Sequence, residues 1–364
     1  MKVGILTWYK AVNHGAVLQT YASCKMLEKL SCDPVVLDYD WNLENISERN
    51  YIEILRKLSI KKVLWKVNVK KFLRTKKQIF SDFRKQYLPL GKKYYDEHEL
   101  DAVYIGSDMV FDISEGYNPF MYGIGVDSKY IFSYAASFGY TTIEKLQSSK
   151  YETEIVEGIK KLKSIGYRDS NTLEIIEHYK VNVSTVECLD PVLCYGFEDE
   201  IIIWDSGKWK KEKYILVYAY ESTMNDKSTV KAIKTFAKEE KLKIVSCGYY
   251  HKWCDKCVQA SPREFLEMFK HASYIITDTF HGTVFSLILH KSFVSIVRNN
   301  GFKLKYLLET VKLTDRIVKK PEDIERVISS KLSFTRFDEW VEENRKKSLD
   351  FIAFNIEGVK KHES

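Results

Sequence analysis

The sequence contains no uninterrupted apolar stretch approaching 18 residues, so we expect no membrane-spanning helix. Its seven cysteines are odd in number and scattered, which argues against a disulfide framework and favours a reducing compartment. The first apolar run is too short for a signal peptide. Apolar residues make up 45% of the 364 residues and charged residues 29%, which excludes a mainly disordered or collagen-like chain. The sequence therefore predicts a soluble, cytoplasmic protein.

Several widespread catalytic motifs are also missing. The sequence has no Walker A loop, no Gly-x-Gly-x-x-Gly, no Gly-x-Ser-x-Gly and no His-Glu-x-x-His. Their absence weakens the cases for an NTPase, a dehydrogenase, a serine hydrolase and a zinc protease. Cys247, His251, Cys254 and Cys257 offer four nitrogen and sulfur ligands. However, they include a single Cys-x2-Cys pair, and Cys247 falls in a predicted strand, so we expect no metal site.

Strands and helices alternate along the whole chain. Residues 3–39 predict a strand, a helix and a second strand, which together form a parallel βαβ unit. The alternation pauses near residue 200, and a second series follows from 214 to 297. The sequence therefore predicts an α/β protein with two doubly wound, Rossmann-like domains. We place the first domain at 1–200, the second at 201–332 and a closing helix at 333–364.

One basic segment interrupts this alternation. Between residues 56 and 93, 14 Lys and Arg accompany a single acid, Asp82, so the segment carries +13. Because the whole chain carries +7, the remainder carries about −6. Apolar residues at intervals predict one or two amphipathic helices, inserted in the first domain at 50–95. The segment is interpreted either as a solvated lysine face or as a patch for an anionic membrane surface. No recognised nucleic-acid-binding module accompanies the charge, so we expect no nucleic acid partner.

Two predicted helix starts carry candidate ligand-binding groups beyond strand ends, where doubly wound sheets bind ligands. His281 lies where a strand turns into a helix, so unpaired backbone N–H groups and the helix dipole favour an anion there. Thr279, Gly282 and Thr283 belong to the same turn. Asn13 and Gly15 open the first helix, where Gly15 permits close backbone approach. For both segments, the alternative to ligand binding is that these residues form an ordinary strand-to-helix turn.

Two further strand ends carry charged side chains. Asp108, which follows Ser107, is a candidate base towards a sugar hydroxyl, or an ordinary helix N-cap. Arg168 is a candidate two-bond clamp for a phosphate or carboxylate. The alternative for Arg168 is a structural pair with Asp169 or Glu174.

Together, these motifs resemble the polysaccharide pyruvyl transferase family. The matching segments occur in the family's order over about residues 1–320 and are Asn13-His14-Gly15, Gly106-Ser107-Asp108, Ser137-Phe138-Gly139, Tyr167-Arg168-Asp169, Asp190-Pro191 and Asp278-Thr279-Phe280-His281-Gly282-Thr283. The resemblance implies two domains facing across a cleft, as in glycosyltransferases of the GT-B type. It also implies transfer of a pyruvyl group from phosphoenolpyruvate onto two hydroxyls of a glycan sugar, as a cyclic ketal. The acceptor would be a polysaccharide or a lipid-linked precursor, as in bacterial capsule or exopolysaccharide biosynthesis. Phosphoenolpyruvate is the donor substrate, and no cofactor is implied.

The resemblance also suggests roles for individual residues. In the family, the His matched by His281 and an Arg placed here at Arg168 are linked to phosphoenolpyruvate. An Asp of the first domain, placed here at Asp108, is linked to the acceptor, which would make the first domain the acceptor side and the second the donor side. Some members carry Arg where this chain has Thr279. The missing cation is then expected from Arg298, Lys303 or Lys305.

Two other functions fit the same fold. One is a glycosyltransferase that uses a nucleotide sugar. The other is a catalytically silent glycan-assembly partner, whose basic segment docks on a membrane or on another enzyme. For the pyruvyl transferase, the membrane interpretation of the basic segment implies a peripheral position at the inner face of the cell membrane.

Overall fold

The computed structural model describes residues 1–40, 60–114, 116–297 and 302–363. The first sheet contains β1 Lys2–Leu6, β2 Asp33–Asp38, β3 Leu90–Lys93, β4 Ala102–Asp108, β5 Ile131–Ala136, β6 Ser164–Tyr167 and β7 Ser184–Glu187. These strands follow the order β3-β2-β1-β4-β5-β6-β7, and neighbouring strands are parallel.

The second sheet contains β8 Tyr214–Tyr218, β9 Lys243–Cys247, β10 Lys256–Val258, β11 Tyr274–Thr277 and β12 Phe293–Ser295. Its order is β10-β9-β8-β11-β12, again with parallel neighbours. All five residues of β8 are buried, as expected for a parallel strand covered on both faces.

Helices connect the strands of both sheets. They are α1 His14–Lys29, α2 Ile60–Tyr87, α3 Ile143–Gln147, α4 Glu152–Lys160, α5 Ser170–His178, α6 Pro191–Tyr195, α7 Glu198–Ile203, α8 Lys227–Glu239, α9 Pro262–His271, α10 Phe280–Ile288, α11 Phe302–Thr310, α12 Ile324–Ser329 and α13 Thr335–Glu363. Short 3₁₀ turns lie at Pro119–Tyr122, Thr314–Arg316 and Pro321–Asp323. Among the described helices, none is long and apolar enough to cross a bilayer.

Polar side chains begin many of these helices. Each of them accepts a hydrogen bond from a backbone N–H of the first turn, which satisfies a donor that the helix itself leaves unpaired. The N-cap residues of this kind are Asn13, Thr142, Asp169, Asp190, Asp226, Ser261 and Thr279. Two of these caps, Asn13 and Thr279, also line the small cavity of the candidate site, so polar residues that start helices contribute to it.

The closing helix α13 packs back onto the first sheet. Asn355 Oδ1 accepts a hydrogen bond of 2.6 Å from Ser164 Oγ, and Ser348 Oγ accepts one of 2.9 Å from the backbone N–H of Leu189. Both bonds are buried. The chain therefore ends against its first sheet after completing the second.

The predicted amphipathic helix of the basic segment is α2, while residues 56–59 of that segment lie outside the described part of the chain. Its buried residues fall at helical spacing along one face and are Val69, Phe72, Lys76, Phe80 and Phe83. This face packs against both halves of the molecule. Phe80 lies 4.8 Å from the ring of His14 in α1, and Phe72 lies 5.6 Å from the ring of Tyr250, beyond β9. The apolar stripe therefore serves internal packing, and the exposed face carries the lysines.

Lys76 is the one charged member of that buried stripe, with only 4% of its surface exposed. Its Nζ lies 4.7 Å from the ring centre of Tyr249 and 5.5 Å from that of Phe80. Burial lowers the pKa of Lys76 from 10.5 to about 8. At neutral pH the folded protein thus holds a poorly solvated ammonium group, which costs stability.

We expect Lys76→Met to raise the free energy of unfolding at pH 7 by on the order of 3 kcal/mol. This figure converts the lowering of the Lys76 pKa into free energy at about 1.36 kcal/mol per pKa unit. Between pH 8 and 10.5 the unfolded wild-type chain holds more protons than the folded one. The stability of the wild type therefore rises with pH, and its difference from that of Lys76→Met closes. Urea denaturation at pH 7 and pH 10.5 measures both effects. Lys77→Met, at the exposed neighbouring position, is the control and should change little. An equal stability change in the two variants would contradict the assignment.

Candidate active site

The candidate site lies between the two sheets, where the carboxyl ends of strands from both domains meet. The first domain contributes Asn13 from the start of α1, Asp108 from the end of β4 and Arg168 from just beyond β6. The second contributes His281, in the first turn of α10. Lys303, near the start of α11, completes the group. Four of these side chains therefore line one cleft, and Arg168 contacts Asp108 beside it.

Arg168 is held by two carboxylates. Its Nη2 lies 3.0 Å from Asp108 Oδ1, and its Nη1 donates to Asp190 Oδ2. These are not the partners of the predicted alternative, which were Asp169 or Glu174. Asp169 instead caps α5, because its side chain accepts the Thr172 N–H. Asp190, which caps α6, was part of a motif but had no predicted role.

The electrostatics of this cluster keep its acids ionised. Burial alone would raise the pKa of Asp190, whose surface is 1% exposed, but His281, Arg168 and the Val192 N–H outweigh it and hold that pKa well below its usual range. Burial would likewise raise the pKa of Asp108, but Arg168, Lys303 and His281 lower it. The two aspartates also raise the pKa of Arg168. The cluster therefore contains two carboxylates and a guanidinium at neutral pH.

Asp108 has an unusual backbone conformation at the end of β4. Its φ is +75°, a region that residues other than glycine rarely adopt and that costs of order 1–3 kcal/mol. Its C=O accepts a hydrogen bond of 3.0 Å from the Ser137 N–H, which holds it there. Asp108 caps no helix among the described elements, in contrast to the predicted alternative. The strained backbone presents its partly exposed carboxylate to the cleft.

The imidazole of His281 lies against the backbone of α1. A Cβ atom added to Gly15 would come within 2.1 Å of His281 Nδ1, so only glycine leaves room for the ring. On the other side, His281 Nε2 lies 3.6 Å from Asp190 Oδ2, which is beyond hydrogen-bond distance, and this buried nitrogen has no hydrogen-bond partner among the described residues. His281 therefore has an unused polar atom in the domain interface.

The neighbours of His281 build the turn that presents it. Thr279 Oγ1 accepts the Gly282 N–H at 2.9 Å, and a Cβ on Gly282 would lie 2.1 Å from Thr277 Oγ1. Thr283 is fully buried, and its Oγ1 contacts Ser295 Oγ at 2.8 Å. Ser107 is also fully buried, and its N–H donates to Gln19 Oε1. Thr283 and Ser107 are thus buried and hydrogen-bond inside the protein, which does not fit their predicted ligand-binding role. Thr279, in contrast, lines the cleft.

Of the three candidates for the missing cation, Lys303 lies in the cleft. Its Nζ is 3.9 Å from Asp108 Oδ1. Burial, followed by the charge of Arg168, lowers the pKa of Lys303 to about 8. Lys305 instead points to Glu309 at 3.6 Å with 60% of its side chain exposed. Arg298 lies outside the described residues.

Two connected cavities open between the domains. The smaller, of about 150 Å³, is lined by Asn13, Asp108, Thr279, His281 and Lys303, among others. The larger, of about 700 Å³, extends over the second sheet. Tyr140, Tyr220, Asp278 and Leu304 line both. The candidate residues thus line a small cavity that adjoins a larger crevice, which the sequence did not indicate.

His14 of the first motif has a structural position. It is fully buried, stacks on Phe265 at 4.6 Å, and its Nε2 lies 2.9 Å from the carbonyl of Ala260 in the second domain. Burial lowers its pKa to about 3, so the ring is neutral. It joins the two domains beside the cleft.

The cysteine-containing segment shows no convergence of ligands. His251 Nε2 faces the Ala219 carbonyl at 2.9 Å, and Cys257 Sγ faces the carbonyl of His251. In the described ranges, one set of three His or acidic side chains has ligand atoms within 4.8 Å of one another, namely Asp205, Glu267 and His271. Asp205 there already binds Lys270 at 2.6 Å. The geometry therefore does not favour zinc at Cys247, His251, Cys254 and Cys257.

Comparison with solved structures supports the fold. The chain matches UDP-GlcNAc 2-epimerase from Neisseria meningitidis bound to UDP-GlcNAc with a TM-score of 0.53, at 10% identity, over 98% of this chain and 99% of the other. It matches the Methanocaldococcus jannaschii UDP-GlcNAc 2-epimerase in complex with UDP-GlcNAc and UDP with a TM-score of 0.50, at 12% identity, over 94% and 99%. The predicted arrangement of two Rossmann-like domains in a GT-B-type fold is thus confirmed.

Sequence comparison identifies the family. No curated protein matches the sequence significantly. The family model for polysaccharide pyruvyl transferase matches residues 13–300, which include Asn13, Asp108, Arg168, Asp190 and His281. The match covers most of the chain and every strand of the two sheets except β1. The chain therefore belongs to the polysaccharide pyruvyl transferase family.

Proposed function

We propose that this protein transfers the pyruvyl group of phosphoenolpyruvate onto two hydroxyls of a glycan sugar, forming a cyclic ketal and releasing phosphate. One observation carries the proposal. In a chain of this family, an imidazole, an ammonium group and an ionised carboxylate lie around one small cavity between the domains. The reaction requires an acid on the donor side, positive charge at the phosphate and a base at the acceptor.

The donor side is assigned to His281 and Lys303. Lys303 supplies the positive charge for the phosphate, and His281, in the first turn of α10, hydrogen-bonds it. In its protonated form, His281 donates a proton to the methylene carbon of phosphoenolpyruvate. An oxocarbenium-like centre then forms at the carbon that carries the phosphate. Arg168 adds positive charge beside both groups while it positions the two aspartates.

The acceptor side is assigned to Asp108. Its carboxylate accepts the proton of the first sugar hydroxyl as that oxygen bonds to the oxocarbenium carbon. Phosphate leaves with its bonding electron pair and takes up the proton of the second hydroxyl of the same sugar, which closes the ketal. Asp108 then releases the first hydroxyl's proton to solvent, and His281 is reprotonated from solvent. One C–O bond to phosphate is thus exchanged for two C–O bonds to the sugar, and the former methylene becomes a methyl group. The steps as proposed do not require a metal ion.

The proposal is tested by incubating the protein with phosphoenolpyruvate and glycosides of galactose, mannose and N-acetylhexosamine. Phosphate release and a ketal in the acceptor, detected by mass spectrometry, are the expected results. If phosphate is not released with any acceptor and phosphoenolpyruvate does not bind, the proposal is wrong. Binding of a nucleotide sugar in its place would favour a glycosyltransferase. Phosphoenolpyruvate binding without turnover would favour the catalytically silent partner.

Lys303→Met is expected to weaken phosphoenolpyruvate binding by about 10–100-fold, the value of a hydrogen bond to a charged group. Because only the ammonium form of Lys303 attracts the phosphate, wild-type binding should also weaken as pH rises above about 8, its pKa in the free protein. Titration calorimetry at pH 7 and pH 9 measures both effects. Lys305→Met, at an exposed position two residues further along the same helix, is the matched control. Unchanged affinity in Lys303→Met would remove this residue from the site.

We also propose that the exposed face of α2 contacts an anionic membrane surface. This face carries Lys70, Lys71, Arg74, Lys77 and Lys85 on the side opposite the buried stripe. Each basic residue near anionic headgroups contributes about 1 kcal/mol. The protein should therefore co-sediment with vesicles that contain phosphatidylserine. Replacing Lys70, Lys71 and Lys77 by glutamine should abolish most of that binding. Equal binding to neutral vesicles, or none to either, would make α2 an ordinary lysine-rich helix.

A further inference from the structure

The larger cavity continues outward from the proposed catalytic groups over the second sheet. It lies beyond the carboxyl ends of β8, β11 and β12, which is where a doubly wound sheet binds ligands. Its volume of about 700 Å³ is within the range of about 300–1,000 Å³ typical of small-molecule sites. The smaller cavity at His281 suffices for a donor as small as phosphoenolpyruvate. The larger crevice therefore has room for a ligand other than the donor.

Two tyrosines, one from each domain, stand where the two cavities join. Tyr140 follows β5 of the first sheet and Tyr220 follows β8 of the second, and each has 45% of its surface exposed. The backbone N–H of Tyr140 donates to Asp112 Oδ2 at 3.1 Å, which positions its main chain, and the Tyr220 ring packs edge-on against Tyr249 at 5.5 Å. Partly exposed aromatic rings of this kind suit the C–H face of a sugar ring.

The polar lining of the crevice is suited to hydroxyl groups. Ser222 and Ser228 contribute hydroxyls, and Asp226 and Asp278 contribute carboxylates. Asp278 also fixes the tyrosine-bearing loop, because its Oδ1 accepts the Tyr220 N–H at 3.0 Å. Carboxylates accept hydrogen bonds from sugar hydroxyls, and serine hydroxyls both donate and accept them. Uncharged carbohydrate matches this set of groups.

The same lining disfavours a phosphate-bearing nucleotide. The helix start of α8, which lies in the crevice, is occupied by its own cap, since Asp226 Oδ1 accepts the Thr229 N–H at 2.8 Å. A diphosphate would approach two carboxylates, Asp226 and Asp278. Among the described residues of the lining, Lys319 is the single cation. Anion recognition instead calls for several cations or free backbone N–H groups.

We infer that this crevice binds the sugar residues linked to the one that receives the pyruvyl group, so that the acceptor is an oligosaccharide held partly by the second domain. The inference rests on the proposed function. It adds a second subsite, at Tyr140 and Tyr220, to the reacting site at Asp108 and His281. Because the two cavities share lining residues, the two subsites adjoin.

The experiment compares matched monosaccharide and disaccharide p-nitrophenyl glycosides of galactose, mannose and N-acetylhexosamine as acceptors. For the sugar that is used, kcat/KM of the disaccharide should exceed that of the monosaccharide by roughly tenfold, the scale of one aromatic contact. In Tyr220→Ala and Tyr140→Ala the ratio should fall close to one. Tyr95→Ala, at a tyrosine with 44% exposure beside Asp40, is the control and should keep the ratio.

The outcomes separate this inference from the proposed function. Equal kcat/KM for the two acceptors, or a ratio that survives both tyrosine variants, overturns the subsite while pyruvyl transfer stands. UDP binding that depends on Tyr220 also overturns it, because the crevice would then hold a nucleotide. If no acceptor supports phosphate release, the proposed function fails and the subsite fails with it.

Discussion

His281→Ala is expected to lower kcat for pyruvyl transfer by about 10²–10⁴-fold, the usual contribution of a positioned general acid. The imidazole lies between Gly15 and Asp190, where its Nε2 has no hydrogen-bond partner among the described residues. Alanine removes the proposed proton donor and phosphate contact without disturbing the Thr279 cap that starts α10. The fold should therefore persist. Steady-state kinetics with phosphoenolpyruvate measure turnover, and circular dichroism shows whether the variant is folded.

Two companion variants make this test specific. His290→Ala removes an exposed imidazole that pairs with Asp338 at 2.8 Å just beyond the same helix, and it should keep full turnover. Gly15→Ala keeps every catalytic side chain but places a Cβ atom within 2.1 Å of His281 Nδ1, so it should displace the ring and lower kcat. Full activity of His281→Ala would exclude His281 from the mechanism.

Arg168→Met is expected to reduce the free energy of unfolding by about 3–5 kcal/mol, the typical cost of removing one partner from a buried ion pair. Methionine retains much of the side-chain volume but leaves Asp190, 1% exposed, without its guanidinium. It also removes the 3.0 Å contact that positions Asp108. Turnover should therefore fall together with stability, and urea denaturation measures the second effect directly.

The pH dependence distinguishes lost charge pairing from lost packing. Asp190 has a lowered pKa in the folded protein, so its contribution to stability is present above the pKa of the unfolded chain and is lost as pH falls below about 4. The stability difference between wild type and Arg168→Met should shrink over that range. Arg326→Met, which breaks an exposed pair with Asp323, should change stability by less than about 0.5 kcal/mol. A difference that is constant with pH would indicate packing alone.

The sequence predicted much of this fold because local signals and tertiary structure agree. Asn13 and Asp169 cap the helices that follow predicted strands, and the apolar runs at 214–218 and 243–247 are long enough to be recognised. The strands β3 and β10 were not predicted. They have four and three residues, and their alternating or mixed burial leaves no clear apolar pattern.

The site was only partly predictable. Asp108 and Arg168 follow strands of the first sheet and His281 follows a strand of the second, so the edge of each sheet on which they lie could be inferred from the parallel strands. Their partners could not, since Arg168 reaches Asp190 and Asp108, which are 22 and 60 residues away along the chain. Lys303 and Lys305 were equivalent in the sequence, and only their positions on α11 decide which one faces Asp108. The outer crevice, formed by loops of both domains, had no sequence signal.

The most direct test of the central claim is a crystal structure with phosphoenolpyruvate bound. The phosphate is predicted to lie within hydrogen-bond distance of His281 and Lys303, with the methylene carbon facing the imidazole and the opposite side open towards Asp108. Phosphoenolpyruvate bound elsewhere, or with its phosphate remote from both side chains, would contradict the account.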